Sequence, residues 1–303
     1  MNKTLISSDK KLSLSYLQTT CENPKGVVIV AHGMCERKER YIPFLQFLTN
    51  NNYIGIIHDH RGHGESILSE NDYGYFYDSS ATAIVEDLHV VIKHAKANFP
   101  TLPVYLFAHS MGTLVSQNYL QKYNTYIDGF ISCGQPSKNP MVKAGLTLAK
   151  IIAKCKGEYY RSPLLRALSV GAYDKKFKSN LKNAWLTTNE DVVKAYNADP
   201  KCGYTFTANG YINLMTLYDK TYTIPYTPAN KDLPVLFIAG EEDPVITSLK
   251  DFNYSIDYMK SLGYTNVSYK TYANARHEIL NESMKQNVYE DVLQFLNKLK
   301  KHF

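Results

Sequence analysis

No apolar run in this sequence approaches the roughly 20 residues needed to span a bilayer, so no membrane-spanning helix is expected. The opening stretch from Met1 to Ser8 holds no long apolar segment either, and no signal peptide is expected. Cysteine is scarce and unpatterned. The five residues Cys21, Cys35, Cys133, Cys155 and Cys202 are odd in number, scattered, and form no C-x-x-C pair. That argues against a disulfide framework and for free thiols in a reducing, cytoplasmic setting. Charge of one sign is also lacking. Lys and Arg number 34 against 28 Asp and Glu, a net +6, with small lysine clusters near residues 143–156 and 175–182. No basic run is interleaved with aromatics, so no nucleic-acid surface is expected. Internal repeats and low-complexity tracts are absent.

What is there is ordinary globular material: 303 residues, 44% hydrophobic and 20% charged, enough for one elaborated domain or two. Lys11–Leu17 alternates weakly and predicts an edge strand. Val27–Ala31 is a β-branched apolar run ending in His32-Gly33, as in a buried parallel strand. A helix over 41–51, a strand over 53–58 and a strongly periodic helix over 79–97 follow, the last with Ile84, Leu88, Val91, Ile92 and Ala95 on one face. Further strands are read at 104–107, 127–132, 233–239 and 267–272, with helices at 111–123 and 249–262 and a last helix from about Asn281 with Met284, Val288, Val292, Phe295, Leu296 and Leu299 facing inward. Strands alternating with helices predict an α/β fold, a mostly parallel sheet covered on both faces.

Residues 136–225 break this rhythm. Met141–Lys156 is amphipathic and Asp191–Asn197 has the look of a short helix, but no strand–helix alternation appears. The reading is a helical cap, 136–225, inserted into a core made of 1–135 and 226–303.

Ala108-His109-Ser110-Met111-Gly112 lies between an apolar strand and a helical pattern. A serine flanked by small residues at this spacing reads as a nucleophile elbow, a turn too sharp for bulk two residues either side. A serine hydroxyl needs an adjacent base, and the base an orienting acid. In a parallel sheet such groups sit on loops at the carboxyl ends of strands. Asp243 follows the strand 233–239, and His277 follows the strand 267–272. The chain order Ser, Asp, His is that of α/β-hydrolases.

The resemblance then becomes specific. The sequence resembles the α/β-hydrolase superfamily and, within it, the monoacylglycerol lipase and lysophospholipase group. It has a His-Gly-x-x-Glu loop (His32 to Glu36), an Asp-x-x-Gly-His-Gly-x-Ser loop (Asp59 to Ser66) and the serine elbow. It also has Gly-x-x-Asp-x-Val (Gly240 to Val245) and Arg-His-Glu (Arg276 to Glu278). The cap stretch Asp199 to Tyr204 is similar to that of bacterial members. The resemblance implies that Ser110 attacks an ester carbonyl, His277 relays the proton and Asp243 holds the imidazole. It implies an oxyanion hole made by the amides of Met34 and Met111, a lipid-like ester substrate and no cofactor. Three departures stand out: Ala108 where Gly is usual, Thr113 where another Gly is common, and Ala273-Asn274-Ala275 in place of a Gly-rich turn.

Other readings stay open at this level. An aminopeptidase or amidase could use the same triad, and a non-catalytic binding protein could keep the scaffold. His109 is expected to pack beneath the turn, His32 to be structural, Glu241 and Glu242 to be solvated, and Cys35 to be uninvolved in catalysis. His58, His60 and His63 lack a completing carboxylate or thiol at metal-site spacing, so no metal is expected. The lysine-rich amphipathic segment 141–156 suits a lid and also transient contact with a membrane or micelle surface. Oligomeric state is not legible.

Overall fold

A computed structural model describes residues 3–299. In chain order the elements are β1 (Lys3–Ile6), β2 (Ser13–Gln18), β3 (Gly26–Ala31), α1 (Ile42–Asn50), β4 (Tyr53–His58), α2 (Thr82–Asn98), β5 (Val104–His109), α3 (Met111–Tyr123) and β6 (Gly129–Cys133). Then come α4 (Val142–Lys156), α5 (Pro163–Ser169), α6 (Glu190–Ala198), α7 (Ala208–Thr223), β7 (Val235–Gly240), α8 (Leu249–Ser261), β8 (Val267–Tyr272) and α9 (Lys285–Leu299). The strands form one sheet in the order β1-β2-β4-β3-β5-β6-β7-β8. β1 and β2 run antiparallel at one side, and β4 to β8 with β3 are parallel.

Alternation within the strands explains the two-sided core. Val27, Ile29, Leu106, Phe130 and Phe237 face α2, α3 and α8. Val28, Val30, Phe107, Ile131 and Ile238 face α1 and α9. β3 to β7 are buried along their whole length, which is why they read as continuous apolar runs.

The sequence reading needs amendment in three places. The strand expected at 11–17 is not the edge, because β1 pairs outside it. The last helix starts at Lys285, after a short 3-10 turn at Ile279–Asn281. Between β6 and β7 lie four helices, not two, and no strand among the described residues. α7 escaped detection because Asn209, Asn213 and Thr221 interrupt its buried face. Asn209 and Asn213 accept hydrogen bonds from the Phe76 and Ala81 amides, and Asn118 donates to Thr221. Buried polar groups satisfied this way break the apolar stripe without costing stability.

β3 sends the chain to β4 on one side, and the chain returns through α2 to β5 on the other. The carboxyl ends of β3 and β5 therefore flank the point where strand order reverses, the place where ligands bind in open α/β sheets.

Candidate active site

Ser110 sits at the end of β5 with φ 52° and ψ −120°, a conformation that costs a non-glycine residue about 1–3 kcal/mol. The surroundings enforce it. The Ser110 amide donates to the Cys133 carbonyl, and the Thr113 amide and hydroxyl both donate to the Ser110 carbonyl, at 2.8 and 2.6 Å. Thr113 therefore braces the turn in place of the common glycine. Gly112 has no substitute: a Cβ there would lie 2.1 Å from the Ala31 carbonyl oxygen.

Asp243 lies just beyond β7 and His277 just beyond β8, both buried. The His277 Nδ1 and Asp243 Oδ2 are 2.8 Å apart. The other carboxylate oxygen accepts from the Val245 amide at 2.8 Å, so the carboxylate is held at both ends. Gly134 leaves the space the imidazole fills, since a Cβ there would meet the ring at 3.1 Å. Ser110 and His277 line the same cavity, together with Met34 and Met111. No Ser110–His277 hydrogen bond is formed among the described residues; in resting sites such bonds commonly tighten only with substrate present.

Met111 is the first residue of α3, and its amide has no intrahelical acceptor. Met34 sits on the loop after β3, whose path is fixed by Glu36. That carboxylate accepts from the Gly33 amide at 2.6 Å, the Tyr41 hydroxyl at 3.0 Å and Arg40 at 2.6 Å. Burial alone would raise the Glu36 carboxyl, but the His109 hydrogen bond and the Arg40 charge hold it well below the usual carboxylate range.

The remaining candidates fall away from the chemistry. His109 is buried under the turn, with Nδ1 3.3 Å from Glu36 and Nε2 3.3 Å from the His277 carbonyl. Burial would lower its pKa; Glu36 raises it above the ordinary value. His32 has Nδ1 2.8 Å from the Gly33 carbonyl and accepts from the His60 amide, a structural role. Cys35 lines the cavity, but its thiol donates to the Tyr204 carbonyl and burial pushes its pKa well up, the opposite of an activated nucleophile. Glu241 and Glu242 are exposed. His58, His60 and His63 are buried ring against ring, and no group of three or more His, Cys, Asp or Glu among the described residues could hold a metal ion. The Asp59 to Ser66 loop is pinned instead by the Lys38–Asp59 pair at 2.7 Å and the Arg61–Asp87 pair at 2.7 Å.

Two arrangements had no sequence signal. Arg40 bridges Glu36 to Glu278, joining the Met34 loop to the His277 loop. Second, the segment 184–188 is stitched onto the His277 loop. The Glu278 amide donates to the Leu186 carbonyl at 2.6 Å, Arg276 donates to the Ala184 carbonyl at 2.7 Å, and the Trp185 ring lies 5.1 Å from the His277 ring.

The chain is similar in sequence and in fold to known proteins. The chain is 26% identical over 274 residues to a monoacylglycerol lipase of Mycolicibacterium smegmatis, covering 90% of this chain and 89% of the relative. It is 24% identical over 272 residues to the phospholipase YtpA of Bacillus subtilis, covering 89% and 94%. Among solved structures, a thermostable carboxyl esterase from Bacillus coagulans superposes with a TM-score of 0.88 at 22% identity, covering 99% of this chain and 98% of that one. A soluble variant of the monoglyceride lipase from Saccharomyces cerevisiae gives 0.75 at 20% identity, covering 99% and 94%. The family model described as serine aminopeptidase, S33, matches residues 22–284. With most of its length matched and its sheet superposing on esterases and lipases, the chain belongs to this α/β-hydrolase family of serine hydrolases.

Proposed function

We propose that the chain hydrolyses carboxylic esters bearing one medium or long acyl chain, of the monoacylglycerol or lysophospholipid class, through an acyl-serine intermediate on Ser110. The Ser110 oxygen attacks the ester carbonyl while His277 Nε2 takes its proton. Asp243 holds Nδ1 and stabilises the imidazolium. The amides of Met34 and Met111 receive the developing oxyanion, each such donor contributing about 3–4 kcal/mol to the transition state. Collapse expels the alcohol, protonated by His277, and water repeats the sequence to free the fatty acid.

One observation carries this reading: Ser110 and His277 open onto a single cavity of about 690 Å3 whose lining is mostly apolar, with Leu148, Leu214 and Met215 from α4 and α7. A chamber of that size suits an acyl chain. An aminopeptidase would need an unpaired carboxylate to receive the substrate amine. The two glutamates on this cavity, Glu36 and Glu278, are both engaged by Arg40. The relatives named lipase and phospholipase support the ester reading.

Residues 136–225 act in this proposal as a lid over the acyl chamber. Met141, Ile151, Leu164 and Leu168 are exposed beside Lys143, Lys150 and Lys154, a mixture suited to transient contact with an anionic lipid surface. No described helix is long and apolar enough to cross a membrane. The five unpaired thiols fit a reducing, cytoplasmic compartment. The test pairs a fluorophosphonate probe with rates on acyl esters of graded length and on an aminoacyl anilide. Labelling of Ser110 and preference for long acyl esters are expected. A faster rate on the anilide would overturn the proposal.

A further inference from the structure

The catalytic cavity holds two cations that no carboxylate neutralises. Arg166 on α5 and Lys176 both line it, and neither forms an ion pair among the described residues. The cavity's own acids are spent elsewhere, since Arg40 takes both Glu36 and Glu278. The unmatched charge of the chamber is therefore positive, an unusual property for a site handling neutral lipid.

Arg166 is the better placed of the two. It is half-buried, and one of its five N–H donors is committed, to the Thr205 hydroxyl at 2.9 Å, which fixes the direction of the side chain. The contrast with Arg161 is instructive. That guanidinium is consumed by the carbonyls of Tyr73, Thr205 and Asn71 and serves as a staple. Ser169 and Tyr211 line the cavity beside Arg166, and the Tyr211 hydroxyl is buried without a well-aligned hydrogen bond. Cys35, on the loop that carries Met34, lines the same cavity as Arg166. The apolar residues Leu148, Leu214 and Met215 suit the acyl chain, and Arg166 with Ser169 and Tyr211 is then assigned to the alcohol half of the ester.

We propose that Arg166, flanked by Ser169 and Tyr211, is a subsite for a phosphate carried on the alcohol side of the scissile ester, so that acyl glycerophosphates are preferred over neutral acylglycerols. This rests on the ester-hydrolase reading above. A guanidinium with open donors recognises phosphate through charge-assisted, often paired hydrogen bonds.

The experiment compares kcat/KM for a 1-acylglycerol and the 1-acylglycerol 3-phosphate of the same chain length, both as monomers, in the wild type, Arg166→Gln and Arg166→Lys. The anionic substrate is expected to be favoured at least tenfold by the wild type. Arg166→Gln should lower the anionic-to-neutral ratio at least tenfold, and Arg166→Lys should restore part of it. A wild-type ratio of one or less overturns the proposal, as does a ratio unmoved by Arg166→Gln. Should Arg166→Gln melt early or fail to fold, the wild-type ratio and the Arg166→Lys ratio decide alone. A binding arm separates this claim from the catalytic one. Ser110→Ala protein is titrated with the acylglycerol phosphate, with glycerol 3-phosphate and with inorganic phosphate. Tight binding of the lipid alone identifies a substrate headgroup site; equal binding of inorganic phosphate identifies a site for the free anion and overturns the substrate assignment. Loss of ester turnover on every substrate, with headgroup binding retained, would count against the proposed reaction and not against the subsite.

Discussion

Arg40 grips Glu278 with both ends of its guanidinium, at 2.7 and 2.6 Å, one residue beyond His277. The same NH1 reaches Glu36 at 2.6 Å, so one side chain spans the loops that carry Met34 and His277, the proposed oxyanion donor and base. Replacing it by Met would leave two buried carboxylates without their counter-charge, at a cost of about 3–5 kcal/mol. Arg40→Met is expected to lower the melting temperature and to reduce kcat more than KM changes. A variant with wild-type stability would show that the bridge is idle.

Asp243→Asn tests the tautomer of His277. The Val245 amide needs an acceptor, so the Asn carbonyl oxygen is expected to stay there and turn the amide nitrogen toward His277 Nδ1. That forces the proton onto Nε2, where the serine proton should be received. Ester turnover at neutral pH is expected to fall by about 10⁴-fold with the fold intact. Loss of less than tenfold, measured on a soluble short-chain ester, would remove Asp243 from the proposed triad.

Ser110→Ala should abolish labelling by a fluorophosphonate and lower ester turnover by roughly 10⁴-fold or more while leaving the circular dichroism spectrum unchanged. A residual rate within tenfold of wild type would rule out the nucleophile.

Legibility followed chemistry that is local in sequence. The elbow could be read because its sterics act over five residues, and the order of Ser110, Asp243 and His277 because each follows a strand read in the sequence. β1 was missed since its four residues bury almost nothing. α5 and α7 were missed because short or polar-faced helices carry no apolar period. The Arg40 bridge joins residues 238 apart in the chain, and nothing in a single sequence marks such a pair. Arg166 was one more cation in an unassigned stretch of the cap until the cavity showed that it lines it.

The buried histidines set a pH limit on the fold. Burial chiefly lowers His32 to about 3, and His58 and His63 to about 4, against an ordinary value near 6.5. The unfolded chain therefore binds more protons than the folded one between about pH 6.5 and 4. Stability is full above that window and is lost as pH falls through it, several kcal/mol in all at about 1.4 kcal/mol per pKa unit. Urea unfolding should show a steep decline between pH 6.5 and 4.5. A flat profile across that range would mean that these rings are solvated in the native state.

The stitching of residues 184–188 to the loop of His277, the proposed base, anchors one margin of the chamber. If the cap acts as a lid, as proposed, this margin is tied to His277, and the side along α4 and α5, where Met141 and Leu168 already face solvent, is the place for it to open. On the proposed function, a lipid tail would then arrive from the Lys-rich flank while His277 stays beside Asp243.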